Sequence, residues 1–154
     1  MNIGLLTRNR NAWCSSHLRE AFVRLGVTAR CFAFRDLVSR VGVNPAILLD
    51  GKNMEEEIGA LLVRPIGRGS LDEIIFRLNL LNTLSRMGLP VVNNPSSIEK
   101  AADKYHTLIL LAERGIQVPR TIVTERVSDA VKAFHEFGGD IVVKPVFGSR
   151  GIGS

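Results

Sequence analysis

Short apolar runs alternate with stretches of helical spacing along this chain, the pattern of an α/β layered fold built on a mainly parallel sheet. Asn2 to Thr7 reads as a first strand. After a polar turn at Arg8 to Asn11, Trp13 to Leu25 places Leu18, Phe22 and Leu25 at helical spacing, and Gly26 supplies a stop. Val27 to Phe34 alternates like a strand. Val41 to Asp50, with Asn44-Pro45 inside it and Asp50-Gly51 at its end, reads as a strand-turn-strand insert, and Ala60 to Val63 as a buried strand. Ser70 and Glu73 then form a capping box, in which the hydroxyl and the carboxylate each take a backbone amide at the start of a helix. Ile74, Ile75, Leu78, Leu81 and Leu84 are expected on one face of that helix, Gly88 closes it, and Val91-Val92 gives a short strand.

Asn93-Asn94-Pro95 interrupts the pattern, so a domain boundary is placed near residue 95. Ser96 and Glu99 suggest a second capping box, opening a helical stretch with a break near Asp103 that ends at Arg114-Gly115. Thr121 to Thr124 is expected as a strand, Ser128 to Phe137 as a helix closed by Gly138-Gly139, and Ile141 to Lys144 as a strand. The segment that follows is glycine-rich. Such a loop after a strand ordinarily returns into another element, so the chain is expected to continue in a longer parent protein.

Composition narrows the function classes. No apolar run approaches the ~20 residues of a membrane span, and no secretion signal opens the chain, so the cytoplasm is the expected compartment. Cys14 and Cys31 lie on different elements, outside any C-x-x-C pair, and read as reduced core thiols. His17, His106 and His135 have no partner at metal or triad spacing. The net charge of +5 comes from the front: residues 1–50 carry seven basic and three acidic groups, 51–100 six and six, and 101–154 seven and six. No basic-aromatic stripe results, which argues against nucleic acid and for a basic pocket that takes an anionic small molecule.

The chemistry concentrates at two lysines. Lys144 ends a strand and precedes Gly148, Ser149, Arg150, Gly151, Ile152 and Gly153, a G-x-x-G-x-G loop. An ammonium at a strand end can reach phosphate oxygens, and successive amides in a glycine-rich turn can cradle them. The spacing is neither the Walker pattern nor the dinucleotide fingerprint, and an ordinary flexible glycine loop is the competing reading. Lys104, in Asp103-Lys104-Tyr105, lies forty residues upstream. Arg64 and Arg68 follow a buried strand and precede a helix start, where open α/β sheets bind ligands, and would suit an acidic substrate; a plain turn and salt bridge is the alternative. Arg8 and Asn9, at the end of the first strand, share that argument.

Together, the opening Ile3 to Asn9, Val63 to Gly67, Val92 to Pro95, Asp103-Lys104, Ile116 to Thr121 and the lysine-glycine loop resemble, in order and over essentially the whole chain, the RimK-like branch of the ATP-grasp ligases. The wording of 63–77 and 144–153 is most similar to the archaeal branch that glutamylates tetrahydromethanopterin-type coenzymes. The resemblance implies a pre-ATP-grasp α/β domain over 1–95 and the start of the ATP-grasp small lobe over 96–154. It implies that Lys104, Lys144 and the loop 148–154 contact the phosphates of ATP. It further implies Mg²⁺, held by carboxylates and an asparagine of a large lobe that this chain does not contain, so no catalytic or metal-binding residue is expected within it. The implied reaction joins L-glutamate to a carboxylate through an acylphosphate, on a pterin or deazaflavin coenzyme or a ribosomal protein tail, and homo-oligomers are common in such ligases. The 154 residues alone are expected to be inactive. A non-catalytic binding or oligomerisation module derived from a pre-ATP-grasp domain is the alternative.

Overall fold

The structure, a computed structural model, describes residues 2–67 and 69–147. The chain divides into two compact units between Ile98 and Glu99.

The first unit is organised by a four-stranded parallel sheet in the order β2-β1-β6-β7, made of β1 (Asn2–Leu6), β2 (Thr28–Phe32), β6 (Ala60–Val63) and β7 (Val91–Val92). The central strand pairs on both sides, Ile3 facing Ala29 of β2 and Ala60 of β6. Leu5 and Leu6 are buried accordingly, as expected where parallel strands are covered on both faces. Helix α1 (Trp13–Arg24) follows β1, and Gly26 closes it with φ of +68°. The insert forms a second, antiparallel sheet of β3 (Leu37–Ser39), β4 (Ile47–Leu49) and β5 (Lys52–Asn53), with α2 (Met54–Glu57) after it. Its first strand lies before Val41, and 40–46 is the connecting loop.

Helix α3 (Leu71–Arg86) closes the core over the sheet, burying Ile74, Leu78, Leu80, Leu81 and Leu84. Ile75 is exposed, contrary to the expectation that it shares the buried face. At about 100° per residue it falls outside an arc centred near Leu81, and Leu80 extends that arc on the other side. Each fully buried leucine stabilises the unit by roughly 1.5–3 kcal/mol relative to exposure. Ser70 and Glu73 cap α3 reciprocally, at 3.2 and 2.8 Å, worth about 1 kcal/mol. Helix α4 (Pro95–Ala102) begins one residue before Ser96. Asn94 accepts from the Ser96 amide at 2.9 Å, so Asn94, with Pro95 in the first turn, starts this helix in place of the Ser96–Glu99 box.

The second unit contains α5 (Lys104–Glu113) and α6 (Val127–Glu136). Asp103 caps α5 by accepting from the His106 amide at 2.9 Å. Residues 121–124 and 141–144 form no strand. A strand exists only by pairing with a neighbour, and among the described residues the one β-bridge in this unit joins Asp103 to Phe147. The apolar side chains of these segments stay outside, Val142 and Val143 each 70% exposed, and Ala133 is the one buried apolar residue among those described in this unit.

Among the described residues no helix is long and apolar enough to cross a membrane.

Candidate functional site

In the first unit, chemistry gathers at the carboxyl edge of the parallel sheet. Thr7 N–H donates to the Phe32 carbonyl at 2.8 Å and Arg64 N–H to the Leu6 carbonyl at 2.9 Å, so β1, β2 and β6 end side by side. Arg8, Asn9 and Arg64 therefore leave neighbouring strands at one edge, as the sequence suggested. Asn9 is partly spent on its own turn, its Oδ1 accepting from Asn11 N–H at 2.9 Å. Arg8 lies over the next connection: a Cβ built on Gly67 would sit 2.3 Å from its Cδ, and Gly67 has φ of +86°. Both features call for glycine there. Arg68 lies outside the described residues.

The start of α1 faces the same edge. Its N-cap, Ala12, has no side-chain acceptor to offer the first amides. Ser15, fully buried, shares a hydrogen bond of 2.9 Å with the Thr7 hydroxyl. Cys14 is a free thiol, and it is half-buried rather than in the core. A hydrogen bond from the Arg64 guanidinium holds its thiol below the ordinary range, against the opposing effect of burial, and that positive charge and hydrogen bonds from Ser15 add to the lowering. Arg64 Nε is itself buried and has no hydrogen-bond partner among the described residues. A buried donor left unmatched costs roughly 1–3 kcal/mol. Sequence reasoning missed Cys14 because fifty residues separate it from Arg64.

The start of α3 behaves differently from the expectation that it attracts anions. Its amides are met by Ser70 and by the Glu73 carboxylate, which fills the place an anion would take.

The thiol provides a direct test of the Arg64 contact. Alkylation of Cys14 should rise with pH through a midpoint below that of an ordinary thiol, since the thiolate is the nucleophile. In Arg64→Met the midpoint should move upward. Mass-spectrometric labelling against pH reads this, and an unmoved midpoint would remove the contact from the account.

In the second unit, Lys104 and Lys144 are drawn into one neighbourhood. Lys104 N–H donates to the Val146 carbonyl at 3.2 Å, and its Nζ donates to the carbonyls of Pro145 at 2.9 Å and Val146 at 3.3 Å. The Lys104 ammonium thus lies against the segment that begins at the exposed Lys144. Gly148, Ser149, Arg150, Gly151, Ile152 and Gly153 lie outside the described residues.

No metal centre accompanies these groups: the described residues contain no cluster of three or more His, Cys, Asp or Glu side chains able to hold an ion. His17 stacks edge-on against Trp13 at 4.5 Å, and His135 packs similarly on Phe134 at 5.4 Å.

No family model matches the chain. It is 41% identical over 108 residues to the tetrahydromethanopterin:alpha-L-glutamate ligase of Methanosarcina acetivorans, covering 70% of this chain and 33% of that protein. The protein of the same name from Methanococcus maripaludis is 27% identical over 153 residues, 99% of this chain and 50% of its own length. Among solved structures, a RimK domain protein ATP-grasp from Sphaerobacter thermophilus superposes with a TM-score of 0.68 at 25% identity, covering 90% of this chain and 47% of that one. The chain thus spans about half the length, or less, of the relatives it matches.

Proposed function

Because this chain is homologous to alpha-L-glutamate ligases and has RimK-like ATP-grasp proteins as its structural neighbours, we propose that it supplies the phosphate grip and an acidic-substrate edge of an ATP-dependent carboxylate–amine ligase. On this reading residues 1–95 are a pre-ATP-grasp domain and residues 96–154 the start of the ATP-grasp domain. The observation that carries it is the tie from Lys104 to the carbonyls of Pro145 and Val146, which seats one lysine beside the segment bearing the other.

The donor set fits ATP. Lys104 and Lys144 hold the phosphates, with the loop 148–153 as the remaining contact. ATP, when bound, supplies the phosphoryl group that activates a carboxylate toward attack by an amine. What the chain contributes is positioning and positive charge, which act on phosphate charge as it develops. Mg²⁺ does not fit the described residues, which offer no carboxylate cluster.

Arg8, Asn9 and Arg64, at the sheet edge, hold an acidic substrate together with Arg68, a role supported by the buried Nε of Arg64 that has no partner among the described residues. L-glutamate is the amine and the acceptor is a carboxylate. A pterin coenzyme is favoured by the names of two relatives, with a deazaflavin coenzyme or a protein tail as the other classes. Residues 1–154 alone do not ligate, a view supported by relatives about twice as long.

The test incubates the native protein with ATP, Mg²⁺, labelled L-glutamate and one acceptor class at a time, and follows products by mass. One glutamyl addition to the pterin is expected, and none with residues 1–154 alone. Label reaching no carboxylate acceptor while the protein is folded would overturn the reading.

A further inference from the structure

The connection from β6 to α3 carries Arg64, and a side chain of α3 hydrogen-bonds to its backbone. Arg77, about two turns into α3 from the cap, reaches back to it. Its Nη1 donates to the Ile66 carbonyl at 3.2 Å, while its Nη2 pairs with Glu73 Oε1 at 3.0 Å. The guanidinium also lies 5.7 Å from the centre of the Phe34 ring, and the side chain is only 13% exposed. Glu73 in turn accepts from Ser70 N–H at 2.8 Å. One planar cation therefore joins the start of the connection at Ile66 to its end at Ser70. Only a forked guanidinium can hold both ends at once.

Gly69 is part of the same device. A Cβ there would stand 2.6 Å from Glu73 Oε2 and 3.0 Å from Arg77 Nη1. The pair closes over the backbone only because residue 69 has no side chain. Arg8 packs close to Gly67, so the connection meets a charged side chain at each of these two glycines.

We propose that Arg77 is a positioning residue: it clamps the β6–α3 connection so that Arg64 is presented at the sheet edge in one orientation. Arg77 does not touch the substrate on this account. The inference rests on the acidic-substrate reading of that edge only for what the orientation is used for; the clamp itself is a statement about backbone order.

Two readouts separate these parts. In the first, NMR order parameters of the Ile66, Gly67 and Gly69 amides are compared in the wild-type chain, Arg77→Met, Arg77→Lys and Gly69→Ala. Methionine keeps the packing against Phe34 and removes both donors. Values near ~0.85 in the wild type should fall below ~0.6 in Arg77→Met and Gly69→Ala, with lysine between. Slow exchange of the β1 amides confirms that each variant is folded, and if Arg77→Met unfolds, Gly69→Ala decides. In the second readout, glutarate is titrated while the Arg64 Nε–Hε signal is followed. Arg77→Met should weaken its binding about tenfold, as expected for a displaced ligand-holding group, and lysine should restore part of it.

Unchanged order parameters in a folded Arg77→Met or Gly69→Ala would overturn the proposal. If order falls as expected but the wild-type Arg64 signal ignores glutarate, the clamp stands and the acidic-substrate reading of this edge fails.

Discussion

Replacing Lys144 by alanine in the native protein is expected to lower ATP-dependent ligation by about 10²–10³-fold, the range for removing one preorganised charged donor from a group that develops negative charge. Lys144 is exposed and lies outside any helix or strand, so the substitution leaves folding of both units intact. Lys104→Ala should cost at least as much, through a second route. It removes a cation and also the hydrogen bonds to the Pro145 and Val146 carbonyls that seat the Lys144 segment. Steady-state rates against ATP concentration read both losses, and backbone order distinguishes the two. Lys144→Ala acts on the phosphates alone, whereas Lys104→Ala should also loosen residues 145–147 in an order-parameter measurement. Wild-type rates in both variants would remove the phosphate grip from the account.

Hydrogen exchange on residues 1–154 should divide the chain sharply. Amides of β1 and β6 pair in a buried parallel ladder, and protection factors of about 10³ or more are expected there, set by a global stability of at least ~5 kcal/mol. Residues 121–124 and 141–144 form no ladder, and their amides should exchange near the rates of an unstructured peptide. The physical cause is the core: the first unit packs Leu5, Leu49, Met54, Leu81 and Leu84 out of solvent, while Ala133 alone is buried among the described apolar residues of the second. Uniform protection across both units would contradict this burial.

What could be read from the sequence follows from the range of the interaction involved. The β1–α1–β2 unit, β6 and α3 were legible because their signals are local: an apolar run of strand length, helical spacing, the Ser70–Glu73 box, glycine at Gly26 and Gly88. The expected strands at 121–124 and 141–144 were not realised because an alternating pattern offers a strand but a neighbour must accept it. Ile75 was misplaced because an apolar residue at an acceptable spacing can still fall on the outer side of a helix whose buried arc is set by the sheet beneath it. Asn94 was passed over for Ser96 since both are good caps, and Pro95 decided between them by fitting the first turn.

The sites divide in the same way. Each lysine was visible in its motif, but that the Lys104 ammonium lies on the backbone next to Lys144 depends on a tie across forty residues. Arg8 and Arg64 were visible as residues at strand ends, and the parallel register brings them to one edge. Cys14, the buried Nε of Arg64 and the clamp by Arg77 had no signal in the sequence, because each arises from packing between elements rather than from spacing within one.

The central claim is that the homologous ligase activates a carboxylate with the phosphoryl group of ATP, and isotope transfer tests it most directly. The native protein would be incubated with ATP, L-glutamate and an acceptor whose carboxylate carries ¹⁸O, and the inorganic phosphate released would be analysed by mass. Attack of a carboxylate oxygen on phosphorus, followed by displacement of phosphate by the amine of glutamate, predicts one ¹⁸O in each phosphate formed. Glutamyl product accompanied by phosphate free of ¹⁸O would contradict the account.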